Sequence, residues 1–187
     1  MKNIEEIKEE LKLVLSEKRY LHSLGTMKMA IELAEKYNVD IEKAALVGLT
    51  HDIAKEFSDE EILNYIREND IEADEIELKQ ISLLHGKIGA NIVKQKYNFS
   101  KDMQDAIKHH TTGHPEMDLL AKIIYVADKI EETREYADVE KVRKLAFEDI
   151  NQALLLILKY SIEKNTKKGK YVHNNTILTI QKLESEN

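Results

Sequence analysis

The chain has 187 residues, 28 Lys plus Arg against 35 Asp plus Glu, a formal charge of −7, six Gly, one Pro and no Cys. That length corresponds to about one domain, and the missing cysteines exclude disulfides, thiolate metal sites and a thiol nucleophile. The acidic balance excludes a nucleic-acid scaffold, which needs a basic face. Apolar runs such as residues 153–158 fall far short of the ~20 residues of a membrane span. Few breakers and apolar residues at helical spacing predict an all-α, cytoplasmic protein, read as a single domain over residues 1–187. The charged start reads as an amphipathic helix and not as a signal peptide. In chain order, Ile4, Ile7, Leu11 and Val14 or Leu15 predict a first helix. A second begins between Ser16 and Tyr20 and ends near Asn38. A third runs from Asp40, as N-cap, to Ala54. Ser58 with Glu61 reads as a capping box for a fourth helix reaching Ile66. A fifth covers about residues 76–97 with a break near Gly86, and Ser100 caps a sixth that ends at His110. Thr111-Thr112-Gly113-His114-Pro115 is the clear breaker cluster, and helices resume near residues 117–131, 139–147, 149–168 and 174–183.

Seven histidines carry the functional signal. His22 is in register with Thr26, Met29 and Leu33; His51 lies on the face of Ala44, Val47 and Ala54; His85 sits between Ile81 and Ile88. Met103, Ala106 and Ile107 lead to His110, whereas Asp102 and Asp105 lead to His109, so His110 faces inward and His109 outward. Asp52 and Asp128 continue apolar rows as well. A single inward histidine is ordinarily a satisfied core residue. Four of them with two carboxylates on five helices are different, because each buried polar group needs a partner and an unpaired buried carboxylate costs several kcal/mol. One metal cluster satisfies them together. Imidazole and carboxylate without thiolate suit Fe, Mn, Co, Ni or Zn. The His51-Asp52 dyad fits two ions, with Asp52 bridging them through its two oxygens.

The order His22, His51-Asp52, His85, His110, Asp128 resembles the HD-domain metal-dependent phosphohydrolases. The segments His51-Asp52-Ile53-Ala54-Lys55, Leu84-His85-Gly86, His110-Thr111-Thr112-Gly113 and Ala127-Asp128-Lys129-Ile130-Glu131 with Arg134 resemble one bacterial branch. That branch is the YqeK-type symmetrical diadenosine tetraphosphate hydrolases. The resemblance runs from about Arg19 to the Thr176 region and implies a compact HD-domain helical bundle. Its core motif region lies at about 19–135, with C-terminal helices 139–185 packing on it. It further implies a dinuclear centre, iron being the expected occupant and Mn or Co possible substitutes. His22, His51, Asp52 and Asp128 would hold one ion, and Asp52, His85 and His110 the other. The segment 171–176 matches only loosely, so His173 is left out of the metal set.

The chemistry implied by the resemblance is cleavage of diadenosine tetraphosphate to two ADP by a hydroxide shared between the ions, whose pKa metals lower from ~15.7 toward ~7. Asp52, Lys55 and His114 are the expected catalytic residues. Arg19, Lys55, Thr111, Thr112, Gly113, Glu131 and Arg134 are the expected substrate contacts, with Glu131 divided between orienting a ligand and ordinary surface solvation. A 5′-deoxynucleotidase-like hydrolase of mononucleotides and a non-catalytic metal- or nucleotide-binding module remain open alternatives. Lys164, Lys167, Lys168 and Lys170 read as a solvated helix end, and Tyr20, Tyr125 and Tyr136 as core aromatics. Apolar stripes on the terminal helices leave room for a homodimer.

Overall fold

Helices in this chain start where a short polar side chain accepts an amide proton that the first turn leaves unpaired. In the computed structural model, which describes residues 3–186, Asn3, Ser16, Asp40, Ser58, Asp74, Asp118, Asp149 and His173 all do this. The elements are α1 (Ile4–Val14), α2 (Glu17–Tyr37), α3 (Ile41–Thr50), α4 (Asp59–Glu68), α5 (Glu75–Lys79), a 3-10 turn (Ile81–Leu84), α6 (His85–Tyr97), α7 (Lys101–His109), α8 (Leu119–Ile130), α9 (Val139–Glu148), α10 (Ile150–Lys167) and α11 (Asn174–Ser185). The described residues contain no strand, and no helix among them is long and apolar enough to cross a membrane.

Four expectations need correction. The third helix stops at Thr50 instead of reaching Ala54, and tight i→i+3 bonds from Ile53 to Thr50 (3.0 Å) and from Lys55 to Asp52 (2.9 Å) carry the chain on. The expected fifth helix is α5, the 3-10 turn and α6. The chain breaks at Gln80 (φ −134, ψ 68), and Gly86 lies inside α6. Ser100 occupies the N-cap of α7, but its hydroxyl donates to Asp102 and accepts no helix amide. Of the three aromatics, Tyr125 is buried and Tyr20 packs on the core, whereas Tyr136 is 38% exposed because it sits in the loop after α8.

α8 is the centre of the packing. Leu120, Ile123, Ile124, Val126 and Ala127 are buried, and α2, α7, α3 and α10 lie against it. Leu33, Val47, Leu49, Ile107 and Leu154 fill the same core. A smaller cluster of Ala54, Ile62, Leu84 and Ile88 sits under α4. Two close helix approaches position the site. A Cβ at Gly48 would lie 2.9 Å from the Met27 Cα, and one at Gly86 would lie 2.9 Å from the Lys108 carbonyl oxygen. Only glycine lets α3 come that near α2, and α6 that near α7. These approaches bring His51 beside His22, and His85 beside His110. α11 closes the end of the bundle: Thr176 Oγ1 donates to the Thr112 carbonyl at 2.8 Å.

Candidate metal centre

His22, on α2, is joined at the core by three histidines that share one local design. His51, His85 and His110 each sit at a helix end, as the residue after α3, the 3-10 turn and α7. Each donates Nδ1–H to the carbonyl three residues back: Gly48 at 2.8 Å, Ser82 at 2.5 Å and Ile107 at 2.6 Å. The Gly48 carbonyl is accessible because the end of α3 leaves it without an amide partner, and the Ile107 carbonyl accepts the His110 amide at 3.4 Å as well as the ring. His22 Nδ1 donates to Glu131 Oε1 at 3.0 Å instead. With Nδ1 committed as a donor in all four rings, every Nε2 points inward, where it can ligate a metal ion.

Those nitrogens converge in two nests. His22 Nε2 and His51 Nε2 are 3.2 Å apart, with Asp128 Oδ1 at 3.0 and 3.7 Å and Asp52 Oδ2 at 3.6 and 3.4 Å. His85 Nε2 and His110 Nε2 are 3.1 Å apart, with Asp52 Oδ1 at 3.1 and 3.3 Å. Asp52 therefore gives one oxygen to each nest. All six residues are at most 5% exposed.

The electrostatics favour positive charge here. Burial pulls His51 down, but the Asp52 and Asp128 carboxylates outweigh it and hold the ring at about 9. Burial dominates at His110, which lies at about 4, and it also lowers His85. Asp52 and Asp128 stay well below the usual carboxylate range despite burial, Asp52 through His51 and Asp128 through Lys129 and the histidines. Protein cations crowd the same oxygens: Arg19 Nη1 donates to Asp52 Oδ2 and Arg134 Nη2 to Asp128 Oδ1, both at 2.7 Å, and Lys129 pairs with Asp128. Imidazole nitrogens and carboxylates that face one another and hold a proton and protein cations among them are a donor set for cations, so the residues fit two metal ions bound by nitrogen and oxygen.

A third acidic–histidine group behaves differently. His173 Nδ1 accepts the Asn175 amide at 3.1 Å, so its proton is on Nε2, which donates to Asp74 Oδ2 at 2.7 Å. With Glu77 nearby this resembles a ligand cluster, but its nitrogens are already used in tying α5 to α11.

The other expected site residues divide. Lys55 reaches the second nest, its Nζ 3.4 Å from His85 Nε2, and burial lowers its pKa. Arg19 and Arg134 stand on the ligand carboxylates. Glu131, expected as a substrate contact, has no exposed surface; it holds His22 and accepts the Thr133 amide and hydroxyl at 2.7 and 2.6 Å. His114 makes no hydrogen bond or ring contact with the six core residues. Its ring stacks on His109 with centroids 4.5 Å apart, and its Nδ1 accepts the Glu116 amide at 3.1 Å. His109 is half-buried, not outward in solvent, and stays out of the cluster because its ring lies under His114. Thr112 and Gly113 are buried against α11, and Thr111 lines a cavity of about 140 Å³ with His109, His114 and His173. Sequence reasoning missed the ion pair of Lys129 with Asp128, since the residue after an inward one normally faces away; its ammonium folds back over the Tyr125 ring, 5.4 Å from the centroid.

The HD domain family model matches residues 19–133, which span all six core residues. The chain belongs to the HD-domain family. This HD protein is 40% identical over 172 residues to a "Bis(5'-nucleosyl)-tetraphosphatase, symmetrical" of Bacillus subtilis, covering 91% of the chain and 92% of the relative. It is 35% identical to the protein of the same name in Staphylococcus aureus, covering 94% and 91%. A crystal structure of a "predicted HD superfamily hydrolase involved in NAD metabolism" from Clostridium acetobutylicum superposes on it with a TM-score of 0.96, at 41% identity and over the whole of both chains.

Proposed function

We propose that this HD protein is a cytoplasmic, metal-dependent phosphoanhydride hydrolase that splits diadenosine tetraphosphate symmetrically into two ADP. The observation that carries the reading is the pair of nests sharing Asp52, in a chain that matches symmetrical tetraphosphatases over nine-tenths of its length. His22, His51, Asp52 and Asp128 would hold one ion, and Asp52, His85 and His110 the other. Iron is the proposed occupant, with Mn or Co as substitutes. Two such ions would supply Lewis acidity and an acidified water between them.

The rest is done by the chain itself. The four Nδ1 acceptors fix each imidazole as an Nε2 donor, so the ligand set is preorganised before any ion arrives. Arg19 and Arg134 neutralise Asp52 and Asp128 in this structure. With metal charge on those carboxylates, their guanidiniums turn to phosphate oxygens, for which the planar fork is suited. Lys55, half-buried beside the second nest, donates to the phosphate entering there. Thr111, next to His110 and facing the cavity, offers a hydroxyl on the substrate side.

The test is purified protein with Fe, Mn, Co or Mg and a nucleotide panel, with products resolved by chromatography. ADP as the sole product of diadenosine tetraphosphate supports the proposal. ATP plus AMP, or turnover of deoxymononucleotides alone, refutes it in favour of another HD hydrolase. Metal and nucleotide binding without turnover would indicate a silent module. Exposed apolar side chains on the N-terminal helices, among them Leu13 and Val14 at 86% and 62%, keep a homodimer within the proposal, and light scattering decides it.

A further inference from the structure

A chain of hydrogen bonds runs from one histidine of the second nest to the other without passing through the nest. Lys87, two residues after His85 on α6, donates to Glu77 Oε2 at 2.6 Å. The same oxygen accepts the Asp74 amide at 2.8 Å in the capping box of α5. Asp74 Oδ1 accepts the amides of Ile76 and Glu77, and its Oδ2 accepts the His173 Nε2 proton at 2.7 Å. His173 is the N-cap of α11, and its carbonyl accepts the Thr176 amide at 3.0 Å. Thr176 Oγ1 in turn donates to the carbonyl of Thr112, two residues after His110. This strap starts beside one ligand and ends beside the other, and the His173–Asp74 bond joins its two halves.

His173 is more than a helix cap. The other side chains that cap helices here are Ser, Asp or Asn, the short acceptors that a cap calls for. The imidazole caps as they do, Nδ1 accepting the Asn175 amide at 3.1 Å, and with its second nitrogen it reaches Asp74. The ring is 8% exposed. It lines one cavity with Leu83 and Thr111, so it faces both ligand-bearing segments. α5 has only five residues, too few to hold a helix in place unaided. Its position, and that of the following 3-10 turn whose Ser82 carbonyl orients the His85 ring, therefore depends on its anchors.

We propose that His173 is a positioning residue of the metal centre, and that the strap it completes holds His85 and His110 at the spacing the second ion requires. The inference rests on the two-ion reading of the HD centre. His22, His51 and Asp128 stand on or beside α2, α3 and α8, which the strap does not join, so its effect belongs to the second ion.

The test titrates metal-stripped protein with Mn(II) by calorimetry, comparing wild type, His173→Asn and Asp74→Asn. His173→Asn keeps a cap for α11 but is too short to reach Asp74. Asp74→Asn keeps the cap of α5 and turns an amide donor toward the His173 N–H. His85→Ala, which deletes a ligand of the second nest, marks the second ion's event. Each strap variant should bind that ion about tenfold more weakly and the first within about twofold of wild type. The double variant should be no worse than either single one, because all three cut the same link. The rise in Tm on adding Mn should shrink in step. Wild-type affinity for both ions in His173→Asn overturns the inference even where Tm falls, because the bond then braces α11 alone. So does equal weakening of both ions, or additive losses in the double variant. A third Mn event that Asp74→Asn removes also overturns it, by setting an ion in place of the bond between α5 and α11. If the variants lose the second ion as expected and wild type leaves diadenosine tetraphosphate intact, the strap stands and the proposed substrate falls. If wild type cleaves it and the variants keep both ions, the strap alone falls.

Discussion

Replacing Gly86 with Ala tests whether helix spacing governs the second nest. The added methyl would sit 2.9 Å from the Lys108 carbonyl oxygen and 3.2 Å from that of Ile107, both backbone atoms of α7. Ordinary contact requires roughly 3.4 Å, so α6 and α7 must separate by about 0.5 Å. Ile107 is the acceptor that orients His110, and Gly86 adjoins His85, so the separation falls directly on the 3.1 Å pair of Nε2 atoms. Overpacking costs about 1–3 kcal/mol, and the better helix propensity of Ala returns about 1. The net loss of stability is therefore small, about 0–2 kcal/mol, while a shift of this size at a catalytic centre costs on the order of tenfold to a hundredfold in rate. Thermal melts, elemental analysis and kcat on diadenosine tetraphosphate should give a near-normal Tm, loss of one of two ions and a large fall in activity. Two retained ions with near-wild-type turnover would refute the reasoning.

Three further outcomes are expected. His110→Ala should abolish turnover and deplete metal, whereas His109→Ala should be mild; equal metal loss in elemental analysis of both would overturn the separation of the two rings. Stripping the ions with a chelator should lower Tm, because ions at about 100 times their Kd add about 2.7 kcal/mol and removing them leaves Asp52 and Asp128 held by protein cations alone; a Tm insensitive to chelator and to added Mn would count against the centre. Burial, then the charge of His114, holds His109 at about 4 against its ordinary 6.5. The unfolded chain takes up that proton as pH falls through about 6.5 and the folded chain only near 4, so the stability contribution is complete above the upper value and is lost between the two. The Tm of His109→Phe should thus fall less than that of wild type from pH 7 to pH 4.5, and parallel curves would show that His109 is not held neutral.

The sequence reveals which side chains meet but not how tightly their orientation is held. Apolar registry is enough to bring His22, His51, His85, His110, Asp52 and Asp128 together, because each stripe buries a whole face and polar residues within it have nowhere else to point. The same registry separates His110 from His109. It fails for Glu131, which follows the end of α8 and is buried by a turn that the 100° rule does not describe, and for Lys129, whose long stem lets its charge return to a face its Cα leaves. His114 escapes it for a related reason: a position after a ligand-bearing helix end says nothing of the stack with His109 that occupies its ring.

The overextended helices are the most informative of these errors. Periodicity carries α3 to Ala54 and merges α5 with α6, yet α3 and α7 stop one residue before His51 and His110, and the 3-10 turn gives way to α6 at His85. A helix continued through His51 would pair the Gly48 carbonyl with an amide; ended there, it leaves that carbonyl for the His51 Nδ1 proton, and the Ser82 and Ile107 carbonyls accept the Nδ1 protons of His85 and His110, Ile107 beside the His110 amide at 3.4 Å. Termination thus fixes three tautomers with backbone atoms and needs no further side chain. It also aims the negative ends of α3 and α7 at the nests, which favours cations there. A chain of net charge −7 can therefore concentrate part of its acidity, and the dipoles of its helix ends, on a buried pair of cation sites while Arg19, Lys55, Lys129 and Arg134 stand around them for an anionic substrate.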